Sequence, residues 1–196
     1  MSQRLERLFR LKLLLVVIGL AAFLGALYVG SVTPISIQDA QTINNQVNSS
    51  VPPNAPLWTL TSLIFQNNFK IALFGFIPFL IGSGILLFIG LSTGIAFSGD
   101  ALIHTAKGTP ATGPELLIAT MLFPFFFWEL AGYALTMMEG IVITRGLIKG
   151  NRIERFIAPG HFREGELFKA ILVLVMTAIV LFVAALMESY LIVLLR

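Results

Sequence analysis

Long apolar blocks alternate with short polar ones along this chain. The first block is Leu13 to Gly30, the second Trp58 to Asp100, the third Pro114 to Ile143 and the fourth Ala170 to Leu195. About 20 apolar residues make a helix that spans the roughly 30 Å hydrocarbon core of a bilayer. Every block reaches that length once its neighbours are counted, so the pattern predicts an all-α fold, a polytopic transmembrane helical bundle forming one integral membrane domain over 1–196.

The first polar stretch, Met1 to Lys12, sets Arg4, Arg7 and Arg10 at helical spacing against Leu5, Leu8 and Leu11. It reads as an amphipathic cytoplasmic lead-in to an uncleaved first helix, because the following apolar run exceeds a signal-peptide core and lacks a small-residue cleavage site. The second, Ser31 to Leu57, is rich in Asn, Gln, Ser and Thr, with Pro52, Pro53, Pro56 and one acid, Asp39. It reads as an external loop, either a solvated cap over the helix ends or a surface for a partner. Asn48-Ser49-Ser50 fits the glycosylation acceptor pattern. Asp100 to Pro114 reads as a short polar connection, and Arg145 to Lys169 as a basic segment.

Composition sharpens the class. Hydrophobic residues make up 57% of the 196 and charged residues only 12%, with mean hydropathy +0.90, which excludes a water-soluble domain. Ten of the thirteen Lys and Arg residues lie in the first twelve residues and in Arg145 to Lys169. That clustering is a topology signal and not a nucleic-acid footprint: basic segments stay in the cytoplasm. It places the N-terminus and 145–169 inside, 31–57 outside and the C-terminus outside, in a multi-pass protein of the cell membrane.

The crossing count then conflicts with the block count. An odd number of crossings must separate the outer stretch 31–57 from the inner stretch 145–169, yet only two blocks lie between, whose uninterrupted apolar runs, after Lys70 through Ser98 and from Pro114 to Ile143, are each around thirty residues. A thirty-residue helix is about 45 Å long, and two full helices need about forty residues. One block therefore folds as a hairpin of two short helices, or one is re-entrant, giving about five membrane segments. Within the second block Pro78, Gly82 and Gly84 either form packing grooves with Gly90 and Gly94 or break a helix inside the bundle as transporters do.

The candidate chemistry is polar groups in apolar surroundings. Glu129 sits behind Pro124 and the aromatic run Phe123, Phe125, Phe126, Phe127 and Trp128, and Gln66-Asn67-Asn68 forms a polar knot in the second block. An unpartnered polar group in hydrocarbon costs several kcal/mol. Glu129 therefore needs donors, from Asn67, Asn68, Thr136 or freed backbone, or else it serves a membrane-embedded site. Glu139 lies about 15 Å further along a helix, so the two cannot form a carboxylate pair, and its place near Gly140 and Arg145 predicts an interfacial position. Glu188 near the far end of the last block reads as solvated or capping. His104 beside Asp100 falls short of the three or four ligands of a zinc site. The chain has no cysteine, hence no disulfide, thiolate site or catalytic thiol. No cofactor, metal site or catalytic constellation is expected, and the reading is not that of an enzyme.

The order of these features resembles the integral membrane family of stage II sporulation protein M. Asn67-Asn68 followed by Gly75, Gly82 and Gly84 is similar to that family's Asn-Asn pair before a glycine-punctuated helix. Pro124 and Glu129 match the outer positions of its Pro-His-Gly-x-x-Glu element, and Ala184-Ala185-Leu186-Met187-Glu188 its final Ala-Ala-x-x-Glu pattern. Phe125 and Phe126 stand where the family has His and Gly, and Thr93 replaces the Asn of an Asn-Gly pair. The resemblance implies a non-enzymatic membrane scaffold with membrane or extracytoplasmic protein partners, compatible with a homo-oligomer. The alternative is a transporter or channel for a small solute using the embedded Glu129. The two differ in whether a water-accessible cavity reaches Glu129.

Overall fold

In a computed structural model, which describes residues 3–52, 54–78, 81–149 and 164–195, the chain is helical and no strand occurs among the described residues. The helices are α1 (Gln3–Ser31), α2 (Ile37–Ser50), α3 (Leu57–Gly75), α4 (Ile81–Ala106), α5 (Gly113–Met121), α6 (Pro124–Lys149) and α7 (Glu164–Leu194). Residues 150–163, which hold most of the basic segment and His161, lie outside the described residues.

Side-chain register gives the helix directions. Phe23 of α1 meets Gly90 of α4, Leu27 meets Gly94, and the Ser98 hydroxyl donates to the Thr33 carbonyl at 2.7 Å. Both numbers climb together, so α1 and α4 run parallel. Asn68 of α3 meets Glu129 and Tyr133 of α6, and Gly75 meets Thr136 and Gly140, so this pair is parallel too. The two sets oppose each other: Phe23 faces Tyr133, and Gly19 faces Met137. α7 runs against α6, since Gly132 meets Leu181 while Glu129 meets Glu188. Helices α1, α4 and α7 therefore point one way and α3 and α6 the other.

Five helices thus traverse the bundle, and the crossing count comes out odd between α2 and the end of α6. The extra crossing comes from the second apolar block, which folds as the α3–α4 hairpin. Four helices are long and apolar enough to cross a membrane by themselves. α3 is the fifth, about 28 Å long, and its hydropathy is diluted by Gln66, Asn67, Asn68 and Lys70. Pro78 lies in the reversal between α3 and α4 and so interrupts no helix within the bundle. Gly82 is needed there, because a Cβ on it would collide with the Phe74 carbonyl oxygen.

The polar stretches also fold further than their composition indicates. Within 31–57 the segment Ile37–Ser50 is helical, capped by Ser36, whose hydroxyl accepts from the Asp39 N–H at 3.1 Å. α2 lies along α4 with Ala40 against Gly99. Asp100 and His104 belong to α4, so the true connection to α5 begins after Ala106. α5 opens with a reciprocal cap: the Thr112 N–H donates to Glu115 at 2.7 Å, and the Glu115 N–H donates to the Thr112 hydroxyl. At about 13 Å it is too short to cross, and it links the end of α4 to α6 with Gly113 packed on the Ser31 carbonyl.

Packing against the core runs through Phe23, Leu27, Phe125, Leu130, Tyr133 and Leu181. Outside it, Val17, Phe88, Phe127, Met176 and Ile179 are exposed. Apolar side chains pointing outward in such numbers are the surface a bilayer covers.

Candidate functional site

α6 begins at Pro124, which is exposed and suits a first helical position because its missing N–H needs no partner there. The aromatic run behind it divides by helical spacing. Phe125 and Phe126 turn into the core, while Phe127 and Trp128 are exposed at 59% and 44%. The next residue inward is Glu129, and one turn on is Tyr133.

These two meet α3 at Asn68. The Tyr133 hydroxyl donates to Asn68 Oδ1 at 3.1 Å, and Asn68 Nδ2 donates to Glu129 Oε1. Tyr133 and Asn68 are both buried, and Phe23 covers the tyrosine ring at 5.6 Å between centroids. α7 closes the group from the other side. Ala184 and Ala185 are fully buried; their small side chains let α7 approach, so that the Glu188 carboxyl comes to stand beside that of Glu129. Tyr133, Asn68, Glu129 and Glu188 thereby form one polar chain across three helices.

Glu129 and Glu188 are half-buried because they face a cavity of about 640 Å³. Its walls come from α1, α2, α3, α4, α5, α6 and α7. Besides the four linked residues, the polar groups on it are Asn67, Thr93, Asp100 and Thr120. Val47 and Val51 of the α2 region stand at its edge and are themselves exposed or half-buried. The cavity therefore lies toward the α2 end of the bundle, the end where α1 and α4 also finish.

The structure brings together Glu129, Asn68 and Glu188 and sets Asn67 on the same wall. Pro124 starts the helix that carries Glu129. Glu139 stands apart: it is 5% exposed, and its neighbour Gly140 packs on the Gly75 carbonyl at the opposite end of α3. It is thus buried near the α3–α4 reversal, at one end of the bundle. Glu188, expected as solvated or capping, instead lines the cavity beside Glu129, since the tilt of α7 against α6 could not be read from one dimension. Tyr133 was missed; a tyrosine one turn beyond a buried glutamate, on the same helix face, was the available signal. No group of three or more metal-ligating side chains occurs among the described residues.

Outside the apolar helices, one carboxyl has a clear electrostatic state. The Thr112 backbone N–H, and then its hydroxyl, hold the Glu115 carboxyl below its ordinary range. Its place is structural: it pins the start of α5.

Comparison of the chain with protein-family models, curated proteins and solved structures gives no match.

Proposed function

We propose that this membrane protein binds a small solute within the bundle, at Glu129, and passes it across the membrane. The observation that carries this reading is the cavity reaching the Glu129–Glu188 carboxyls. A purely structural glutamate would be packed dry, whereas here two carboxyls, two asparagines and a tyrosine converge on space large enough for a ligand. Pockets of about 300–1,000 Å³ with a few placed polar groups are typical of small-molecule sites, and ionisable groups inside a membrane bundle commonly mark substrate paths.

The charge rule supplies the orientation. The beginnings of α1 and α7 and the end of α6 share one end of the bundle, and these are the helix ends nearest the two basic clusters. With that end in the cytoplasm, α2, α5 and the cavity mouth face outward and the chain ends outside.

The test is a single cysteine at Thr93, on the cavity wall, in a chain that has none of its own. A membrane-impermeant thiol reagent should label Thr93→Cys from the outside, while Leu86→Cys, fully buried two turns earlier on α4, stays unlabelled. Silence at position 93 would reject the solute site. It would favour the second reading, a scaffold organising membrane or extracytoplasmic partners, for which the exposed polar face of α2 is the specific observation. The resemblance to the stage II sporulation protein M family goes with that second reading, on Asn67-Asn68, Pro124, Glu129 and Glu188.

A further inference from the structure

Resting on the solute-site reading, we propose that the cavity takes an organic cation, an ammonium group carried on an apolar body. Three acidic side chains stand on its walls, Asp100, Glu129 and Glu188, and among the described residues no Lys, Arg or His lines it. An anion entering would meet those carboxyls with no basic group to offset them. A neutral apolar solute would fill the space but leave the carboxyls facing hydrocarbon, at a cost of desolvation.

The rest of the wall decides between an inorganic and an organic cation. A hard metal ion needs six or more converging oxygens, and the described acids and histidines form no such group. Aromatic rings instead make up much of the wall: Phe23, Phe97, Phe123, Phe125, Phe126 and Tyr133. Ring faces attract cations and give an apolar body contact area. The volume of about 640 Å³ also exceeds what a bare ion requires. An ammonium presents three donors and no acceptor, which suits two facing carboxyls. One of them is held in place by Asn68, whose N–H already occupies Glu129 Oε1. The ammonium would lie on the cavity side of the Glu129–Glu188 pair, within reach of both carboxyls, and the body would extend along the phenylalanines toward Asp100.

The probe is radiolabelled phenethylamine, compared with neutral 3-phenylpropanol and anionic 3-phenylpropionate, on the full chain in nanodiscs of phosphatidylglycerol, a lipid whose headgroup has no amine. Phenethylamine should bind saturably and about tenfold or more tighter than either analogue, the scale of loss when one partner of a desolvated charge pair is removed. Glu129→Gln and Glu188→Gln should each weaken phenethylamine by a similar factor and leave 3-phenylpropanol unchanged. Nanodiscs containing phosphatidylethanolamine separate two sources of the same group: competition identifies a lipid headgroup ammonium, and no competition a free amine.

Equal affinity for amine and alcohol, a preference for the acid, or no saturable amine binding overturns the proposal. So does unchanged amine binding in both Gln variants. If a variant fails to fold, the ranking of the three probes on the unaltered protein decides alone. Labelling at Thr93→Cys without amine preference removes the cation and keeps the solute site; silence at Thr93→Cys removes both.

Discussion

Asn68 bridges two neighbours through the two ends of its amide. Its oxygen accepts from the Tyr133 hydroxyl, and its nitrogen donates to the Glu129 carboxyl. Replacing it by Ala leaves both groups without their partner in an apolar bundle, and unmet buried groups cost about 1–3 kcal/mol each. We therefore expect Asn68→Ala to lower unfolding stability in detergent by that order, and Tyr133→Phe, which removes only the donor, to cost about 1 kcal/mol. Equal losses in a denaturant titration would show that Asn68 does not hold Glu129. The polar residues were legible one by one, since glutamate and paired asparagines in apolar blocks require partners. Their grouping was not: Asn68, Glu129 and Glu188 are separated by roughly sixty residues at each step, and no local period links positions so far apart.

At the scale of elements, glycines determine how closely helices meet. A Cβ on Gly94 would collide with the Leu27 carbonyl oxygen, and one on Gly30 with that of Leu91, so α1 and α4 pack backbone to backbone. Gly84, on the same helix, faces open space. Gly94→Ala should lower the thermal unfolding temperature, since overpacking costs about 1–3 kcal/mol. Gly84→Ala should be neutral or stabilise by up to about 1 kcal/mol, and reversal of this order in a thermal-shift measurement would refute the parallel α1–α4 contact.

The cap of α5 gives a pH dependence of defined sign. Because folding depresses the Glu115 carboxyl from its ordinary value of 4.5, the unfolded chain binds its proton more readily. Its contribution is present above that value and is lost as pH falls through the depressed one. Thr112→Ala should flatten stability across this acidic window, measured as unfolding temperature against pH, and leave the slope above it unchanged. The group is fully exposed, so salt should reduce the effect. The sequence carries a signal for this cap, Thr112-x-x-Glu115 with Pro114 in the first turn; α2 offers less, because its composition is polar on nearly all sides and its contact with α4 supports it.

For the whole molecule, the decisive test is sidedness. An impermeant thiol reagent applied to intact cells should label Asn48→Cys and spare Arg155→Cys, as the odd crossing count and the basic clusters demand. Labelling of both, or of Arg155→Cys alone, would overturn the orientation while leaving the helix directions within the bundle intact.

Membrane residence, helical class and the need for an odd number of crossings followed from sequence alone, because hydropathy over about 20 residues and the distribution of Lys and Arg are additive along the chain. So did the demand that Glu129 be partnered, which is a property of a carboxyl in hydrocarbon wherever it lies. Tertiary structure decided the rest: that the extra crossing is α3, whose Asn67 and Asn68 turn to Glu129 and the cavity while they lower its hydropathy; that Glu188 is the carboxyl beside Glu129; and that Glu139 is not. Those outcomes depend on which helix faces meet, set by small residues such as Gly75, Gly132, Ala184 and Ala185 through packing distances that no one-dimensional pattern contains.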